Sequence, residues 1–158
     1  MSCTTTSEIT TVIPAPRLFK AAILDWHNLA PKIAADKIVS AANIEGDGGV
    51  GTVRQLNFGP AMPFSYEQRR LEFLDVEKCE IKSSVVGGGG LGVLFKSASF
   101  HVKFSPSGTG GSLVKIVLTY TPMPGANSTQ YENRMKGALE GIMKGCEAFL
   151  LANPEAYN

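Results

Sequence analysis

The sequence predicts an α+β fold in which a curved, seven-stranded antiparallel sheet wraps around one long C-terminal helix. Apolar residues recur at steps of three and four between Tyr131 and Leu150, which is the period of an amphipathic helix. Most of the chain before that helix consists of short segments rich in Val, Ile, Thr and aromatic residues, each bounded by Gly or Pro. The regular spacing of these turns favours an antiparallel meander, and one long helix across such a sheet buries its apolar face.

The predicted strands follow one another with short turns between them. Two short helices interrupt this series after the first strand: Pro16 favours a helix that runs to Leu24, and Asp25 is predicted to cap a second helix that begins at Trp26. The strands are predicted at 5–13, 38–45, 52–58, 64–76, 78–86, 93–105 and 113–121.

The fourth strand requires a bulge, because Phe64 and Tyr66 share one face whereas Leu71 and Phe73 have the opposite parity. We expect the bulge between residues 67 and 70.

The last helix is predicted from Asn127 to Asn153, with Asn127 or Ser128 as its N-cap. Glycines in its interior each cost about 1 kcal/mol relative to alanine. Close backbone packing or a bend over a ligand would offset that cost. These glycines recur every four residues, at Gly137, Gly141 and Gly145.

Composition limits the class of protein. The chain has 158 residues, enough for one domain over 1–158 with a substantial core, and its net charge of +1 gives no electrostatic footprint for nucleic acid or an anionic membrane. No apolar run approaches the roughly 18 residues of a membrane span, and the first residues lack the pattern of a signal peptide. Cys3, Cys79 and Cys146 are predicted to be free thiols in a reducing cytoplasm.

One face of the predicted sheet is apolar and would lie under the helix. By pattern alone, a solid core is favoured over a hollow one that holds a ligand. The residues of this face are Phe58, Phe64, Tyr66, Ile81, Ser83, Phe100, Val102, Ile116, Leu118 and Tyr120.

The glycine-rich segment 46–51 matches the spacing G-x-G-x-x-G through Gly46, Gly48 and Gly51, with Gly49 as a further glycine. A dinucleotide site needs a helix N-terminus after this loop. Residues 52–56 read as a strand instead, so a hairpin whose glycines adopt positive φ is favoured.

Catalytic and metal-binding patterns are weak. His27 and His101 have no metal-ligating partner at a useful spacing, and neither a nucleophile elbow nor a Cys–His pairing is suggested. No cofactor or metal is therefore expected. An acidic cluster along the fourth strand is interpreted as a solvated edge: Glu67, Glu72, Asp75 and Glu77.

Several motifs together resemble the plant intracellular pathogenesis-related class-ten proteins, the family of the major birch pollen allergen, and most closely its monocot members. The resemblance covers nearly the whole chain. Its most specific parts are the glycine loop and the C-terminal run. The matching motifs include Val12-Ile13-Pro14-Ala15, Arg17-Leu18-Phe19-Lys20-Ala21, Ile44-Glu45-Gly46, Gly48-Gly49, Gly51-Thr52 and Leu150-Leu151-Ala152-Asn153-Pro154-Glu155-Ala156-Tyr157-Asn158.

The resemblance implies a helix-grip (START-like) fold with a hollow core that binds cytokinins, flavonoids, sterols, fatty acids or abscisic acid. It also implies a defence-related protein of the cytoplasm, or of the nucleus as well, that is a monomer or a weak dimer. Ser83 stands where many relatives carry a cavity tyrosine, which should enlarge the pocket. The implied ligand-binding residues are Phe58, Phe64, Tyr66, Ile81, Ser83, Phe100, Val102, Tyr120, Met135, Ala138 and Ile142.

Three other activities occur in this family or fold. For a ribonuclease, Arg54 and Glu147 match the implicated residues, but Lys96 and Phe149 replace a glutamate and a tyrosine, so the acid–base pair is incomplete. A hormone receptor that inhibits a phosphatase needs gate and latch turns that the glycine run 87–92 lacks. A condensing enzyme needs a cavity lysine, and Lys96 and Lys103 have solvent-side parity.

Overall fold

A computed structural model describes residues 2–158 and confirms the predicted α+β, helix-grip fold. All seven strands belong to one antiparallel sheet with the order β1-β7-β6-β5-β4-β3-β2. The strands are β1 (Cys3–Thr11), β2 (Ile38–Glu45), β3 (Val53–Phe58), β4 (Tyr66–Asp75), β5 (Glu80–Gly88), β6 (Phe95–Pro106) and β7 (Ser112–Pro122).

The first strand was predicted two residues too late at both ends. β1 pairs with β7 from Cys3 opposite Tyr120 to Thr11 opposite Ser112. Since β7 begins at Ser112, the ladder ends at Thr11, and Ile13 is buried in the turn that follows. Pairing with the last strand, which no local pattern of the first strand can show, therefore sets the boundary.

The helices are α1 (Ala15–Phe19), α2 (Trp26–Ile33) and α3 (Ser128–Ala152). Residues 20–24, predicted as the end of the first helix, form a π-helical turn that the Asp25 amide closes by donating to the Lys20 carbonyl at 2.9 Å. Asp25 does precede α2, but its side chain caps no backbone amide there. The carboxylate instead accepts from the side chains of Asn28 and Tyr157.

β4 contains a bulge, but it lies at Glu72 and not between residues 67 and 70 as predicted. The register of β4 against β5 first shifts between Gln68 and Arg69, where the extra residue belongs to β5 and the alternation of β4 is unbroken. It shifts again between Leu71 and Phe73, where Glu72 is the extra residue of β4. The second shift moves the inward face from Leu71 to Leu74 and leaves the Phe73 ring 39% exposed. Up to the second shift, odd-numbered residues of β4 face α3.

The core is solid at only one end of α3. Phe19 and Phe104 pack edge to face at 5.3 Å between ring centroids, close to the C-terminal half of the helix. The residues of α3 that reach full burial all lie in that half, and they are Met143, Cys146 and Leu150. Between Tyr131 and Gly145, the inward side of the helix faces an empty space.

Asn127 caps α3 as predicted, because its side-chain oxygen accepts from the Gln130 amide at 2.9 Å. Close backbone packing, one of the two explanations predicted for the helix glycines, is wrong for the first two. A Cβ at Gly137 or Gly141 would meet no atom within 4 Å, and a Cβ at Gly145 would make ordinary contact with Ile33 Cδ1 at 3.6 Å.

Among residues 2–158, no helix combines the length and the apolar character needed to cross a membrane.

Candidate functional site

A cavity of about 410 Å³ lies between the inward face of the sheet and residues 131–145 of α3. Aliphatic and aromatic side chains from β3, β5, β6, α2 and α3 make most of its wall. Its lining also includes exposed residues such as Lys37, Pro63 and Arg134, so the cavity reaches the molecular surface. The core is therefore hollow. The sequence pattern alone had favoured a solid core, which is wrong, whereas the family resemblance had implied a hollow one.

Nine of the eleven predicted ligand-binding residues line the cavity, and their part in binding stays a prediction. The pairing of β5 with β6 sets Ile81 beside Val102 and Ser83 beside Phe100 on one continuous inward face. The nine residues are Phe58, Phe64, Ile81, Ser83, Phe100, Val102, Met135, Ala138 and Ile142.

Tyr66 and Tyr120 do not line the cavity, which corrects the prediction for both. Tyr66 begins β4 on its outward face, is 39% exposed, and packs against the backbone of Gly88. Its parity with Phe64 was misleading because Phe64 lies in the turn before the strand.

Tyr120 is fully buried beside the cavity wall, where it anchors the first turns of α3. Its hydroxyl donates to Glu132 Oε2 at 2.6 Å, and its ring packs edge to face on Tyr131 with centroids 5.0 Å apart. Burial, together with the hydrogen bond to the Glu132 carboxylate, raises the pKa of Tyr120 to about 12. Its role in the structure is to position the helix.

Sequence reasoning missed the polar part of the wall. Glu67 and Arg69 lie on the inward face of β4, and Arg69 Nε donates to Glu67 Oε2 at 2.7 Å. The two side chains are 12% and 28% exposed, so the interpretation of Glu67 as part of a solvated edge is wrong. The sequence did contain a signal for this position. Leu71 is apolar and lies two residues after Arg69, and alternate residues of a strand share one face, so Arg69 and Glu67 could have been assigned to the inward face with it.

Arg54 lines the cavity from β3, close to the π-helical turn. Its Nε donates to Asn43 Oδ1 at 3.0 Å, and its terminal nitrogens donate to the carbonyls of Ile23 at 2.7 Å and Leu24 at 3.2 Å. These are the carbonyls at the end of the π-helical turn, and the guanidinium satisfies them. Burial lowers the pKa of Arg54 to about 10, although the Asp25 carboxylate acts in the opposite direction.

His27 lies on α2 near the same guanidinium. Its Nδ1 is buried and has no hydrogen-bond partner among residues 2–158. Burial and the positive charge of Arg54 hold the pKa of His27 below its usual value, against the opposing effect of Asp25. The folded protein therefore favours the neutral imidazole.

The two residues predicted for the ribonuclease alternative have different partners. Arg54 holds the end of the π-helical turn, whereas Glu147 Oε2 accepts from the Val12 amide at 2.9 Å, where β1 ends. Within the described part of the chain, neither a hydrogen bond nor an ion pair joins them, and Glu147 does not line the cavity. Lys96 and Lys103, considered for a condensing enzyme, lie outside the cavity lining as their parity indicated.

The glycine-rich loop leads into β3, a strand, as predicted. Gly46, Gly48 and Gly51 have φ of 81°, 108° and 93°, values that glycine adopts readily. The loop amides bond within the protein: Gly48 donates to Thr52 Oγ1 at 2.9 Å, and Gly51 to the Leu71 carbonyl at 2.8 Å. This arrangement is that of a hairpin and leaves few amides for a phosphate.

A second glycine segment, 87–90, closes the cavity between β5 and β6 through Gly89 and Gly90. Gly88 and Gly89 have φ of 65° and 56°. A Cβ on Gly89 would lie 2.6 Å from Glu67 Oε1, so the glycines allow β4 and its acidic side chain to approach this turn.

Comparison with known proteins gives consistent matches over nearly the full chain. The model of the Pathogenesis-related protein Bet v 1 family matches residues 1–153. Pathogenesis-related protein 1 of Asparagus officinalis is 47% identical over 151 residues, which are 95% of this chain and 94% of that protein. Major pollen allergen Bet v 1-M/N of Betula pendula is 38% identical over 153 residues, 96% of each protein.

Solved structures show the same fold. The crystal structure of Ara h 8.0201 matches with a TM-score of 0.86 at 27% identity, over 97% of this chain and 100% of that one. Norcoclaurine synthase from Thalictrum flavum matches with a TM-score of 0.80 at 18% identity, over 96% of this chain and 87% of that one. At that identity, the second likeness is one of fold alone.

Proposed function

The chain belongs to the Pathogenesis-related protein Bet v 1 family, and we propose that it binds small amphipathic plant metabolites in the cavity beneath α3. The observation that carries this proposal is the cavity itself, about 410 Å³ of space with a mainly apolar wall in the middle of the fold. A pocket of this size and lining suits one small organic molecule. Cytokinins, flavonoids, sterols, fatty acids and abscisic acid are the candidate ligands.

The expected affinity is moderate. Burying about 250 Å² of apolar ligand surface stabilises the complex by roughly 6 kcal/mol at about 25 cal/mol per Å². Ordering the ligand and the side chains subtracts from this, and polar contacts restore a part. A dissociation constant on the order of micromolar follows, which suits a carrier or buffer of metabolites in a defence response.

We also propose a cellular location and an oligomeric state. We infer a cytoplasmic location from the family and from the three free cysteines, none of which is paired in residues 2–158. A fluorescent fusion with a nuclear counterstain would test the location, and sedimentation would distinguish the proposed monomer from a weak dimer.

Displacement of the neutral dye N-phenyl-1-naphthylamine by the candidate ligands tests the binding function. Ala138→Phe should fill the cavity and abolish dye fluorescence, because Ala138 lines it. Ala148→Phe, on an exposed face of the same helix, is the matched control and should bind as the parent does. Absence of saturable dye binding in the parent protein would refute the proposal.

A further inference from the structure

Arg69 places a positive charge inside a mainly apolar cavity. Its side chain comes from the inward face of β4, and its guanidinium carbon lies 4.2 Å from the centroid of the Phe100 ring. Stacking on that ring holds the planar group in place. Only Nε has a hydrogen-bond acceptor among residues 2–158, which is Glu67 Oε2. Four of the five guanidinium N–H groups are thus available to a ligand.

Tyr131 faces the same region from α3. It lines the cavity, packs on Phe95 with centroids 5.3 Å apart, and its hydroxyl makes no hydrogen bond within the described residues. Burial raises the pKa of Tyr131, while the positive charge of Arg69 acts in the opposite direction. Tyr131 therefore contributes a second donor to the cavity that Arg69 lines, from the wall opposite β4.

The remaining charges of the wall differ from Arg69 in their partners or their position. Arg54 already donates to three oxygen atoms of the protein. Asp36, Lys37 and Arg134 are exposed residues of the lining. In the part of the chain described, the lining thus carries four cationic and two acidic side chains, and Arg69 is the cation that combines burial with free donors.

A ligand that fills this cavity must displace water from the guanidinium of Arg69. An apolar group at that position would leave several donors without an acceptor, which costs free energy. A carboxylate would accept two parallel hydrogen bonds from the terminal nitrogens of the guanidinium. The Glu67 carboxylate balances the charge of Arg69 but bonds to Nε alone, so it leaves those terminal N–H groups without an acceptor.

We propose that the cavity selects amphipathic ligands that carry a carboxylate, with the acid group held by Arg69 and Tyr131 and the apolar body directed along Phe100 toward Ile81 and Val102. This inference rests on the proposed binding function and names the ligand class within it. Arg69 is then the residue that determines specificity, and the apolar wall supplies the affinity common to all ligands.

A matched pair of ligands tests the inference: 1-naphthaleneacetic acid and its neutral amide, each displacing N-phenyl-1-naphthylamine near neutral pH. The acid should bind about tenfold more tightly than the amide, the value of one charge-assisted hydrogen bond. Arg69→Gln should reduce this ratio to about one while dye binding persists. Arg70→Gln, the matched control on the outward face of the same strand, should keep the ratio of the parent.

Two further variants test the other residues of the proposed acid-binding site, Tyr131 and Glu67. Tyr131→Phe should lower the acid-to-amide ratio by a few fold, because a hydrogen bond to the charged carboxylate is worth more than one to the amide carbonyl. Glu67→Gln should raise the ratio, because it removes the carboxylate that competes for the guanidinium. If Arg69→Gln fails to fold, as judged by circular dichroism, the Glu67→Gln variant tests the proposal instead. A raised acid-to-amide ratio would support the carboxylate preference, and an unchanged ratio would refute it.

The outcomes separate the two proposals. If the dye binds and the acid and amide displace it equally, the carboxylate preference is refuted and the binding function stands. An Arg69→Gln variant that loses acid and amide affinity equally would also refute it, since Arg69 would then only pack on Phe100. Lack of dye binding in the parent protein would refute the proposed function itself.

Discussion

The glycines of α3, the helix that covers the cavity, allow a test of whether glycine is needed at these positions for the stability of the helix. Gly137 and Gly141 lie one turn apart in the interior of the helix, and a Cβ at either position would meet no atom within 4 Å. Gly137→Ala and Gly141→Ala should therefore each stabilise the fold by about 1 kcal/mol through helix propensity alone. For a domain of this size, each change corresponds to a rise in Tm of roughly 2–4 °C.

The two positions differ in one respect, which makes them a matched pair. Gly141 lines the cavity and Gly137 does not. Both variants should raise the free energy of unfolding, measured by urea titration without ligand. Only Gly141→Ala should also weaken dye binding, because its methyl group enters the margin of the cavity.

A loss of stability in either variant would refute this reasoning. It would mean that the helix bends or frays at that position in solution, so that glycine is required by the backbone conformation. Equal weakening of dye binding by both variants would mean that helix rigidity, and not cavity space, controls access of the ligand.

Three further predictions concern residues around the cavity. Tyr120→Phe should destabilise the fold by about 1 kcal/mol in urea titration, because Glu132 at the start of α3 loses its donor; an unchanged midpoint would contradict this. Gly46→Ala should cost about 1–2 kcal/mol by the same measurement, since its φ is 81° and its Cβ would lie 2.6 Å from Thr52 Oγ1. Burial and a neighbouring guanidinium hold the pKa of His27 below 6.5 in the folded state, so the unfolded chain binds the proton more readily and stability falls as the pH drops through about 6.5. His27→Gln should reduce the loss of Tm between about pH 7.5 and about pH 5.5, and an undiminished loss would contradict the assignment.

Local patterns were sufficient for most of the fold. The alternation in β6 and the helical period of α3 survive in the structure because each element buries one continuous face. Both errors in the predicted cavity wall have identifiable physical causes. Tyr66 was assigned by parity with a residue outside its strand, and Tyr120 was assigned by parity alone, although a wall residue can point at a helix end instead of the cavity.

Local pattern missed two features of the cavity. Glu67 was interpreted as solvent-facing because charged residues are rarely buried, although its parity with Leu71 indicated the inward face, and its pairing with Arg69 makes that position tolerable. The hollow core could not be predicted from the hydrophobic pattern either. That pattern shows which faces are apolar, but it does not show the distance between the sheet and the helix. That distance depends on how the whole sheet curves.

The empty space under α3 has a consequence for how long the protein survives. A cavity means that this fold forgoes part of the apolar burial that a solid domain of the same length would have. If the proposed function holds, a bound metabolite would restore that burial and would stabilise the folded state by about 2.7 kcal/mol at a hundred times its dissociation constant. The ligand-free chain would then unfold and be degraded sooner than the occupied one, so that the cellular amount of this protein would itself follow the supply of the metabolite.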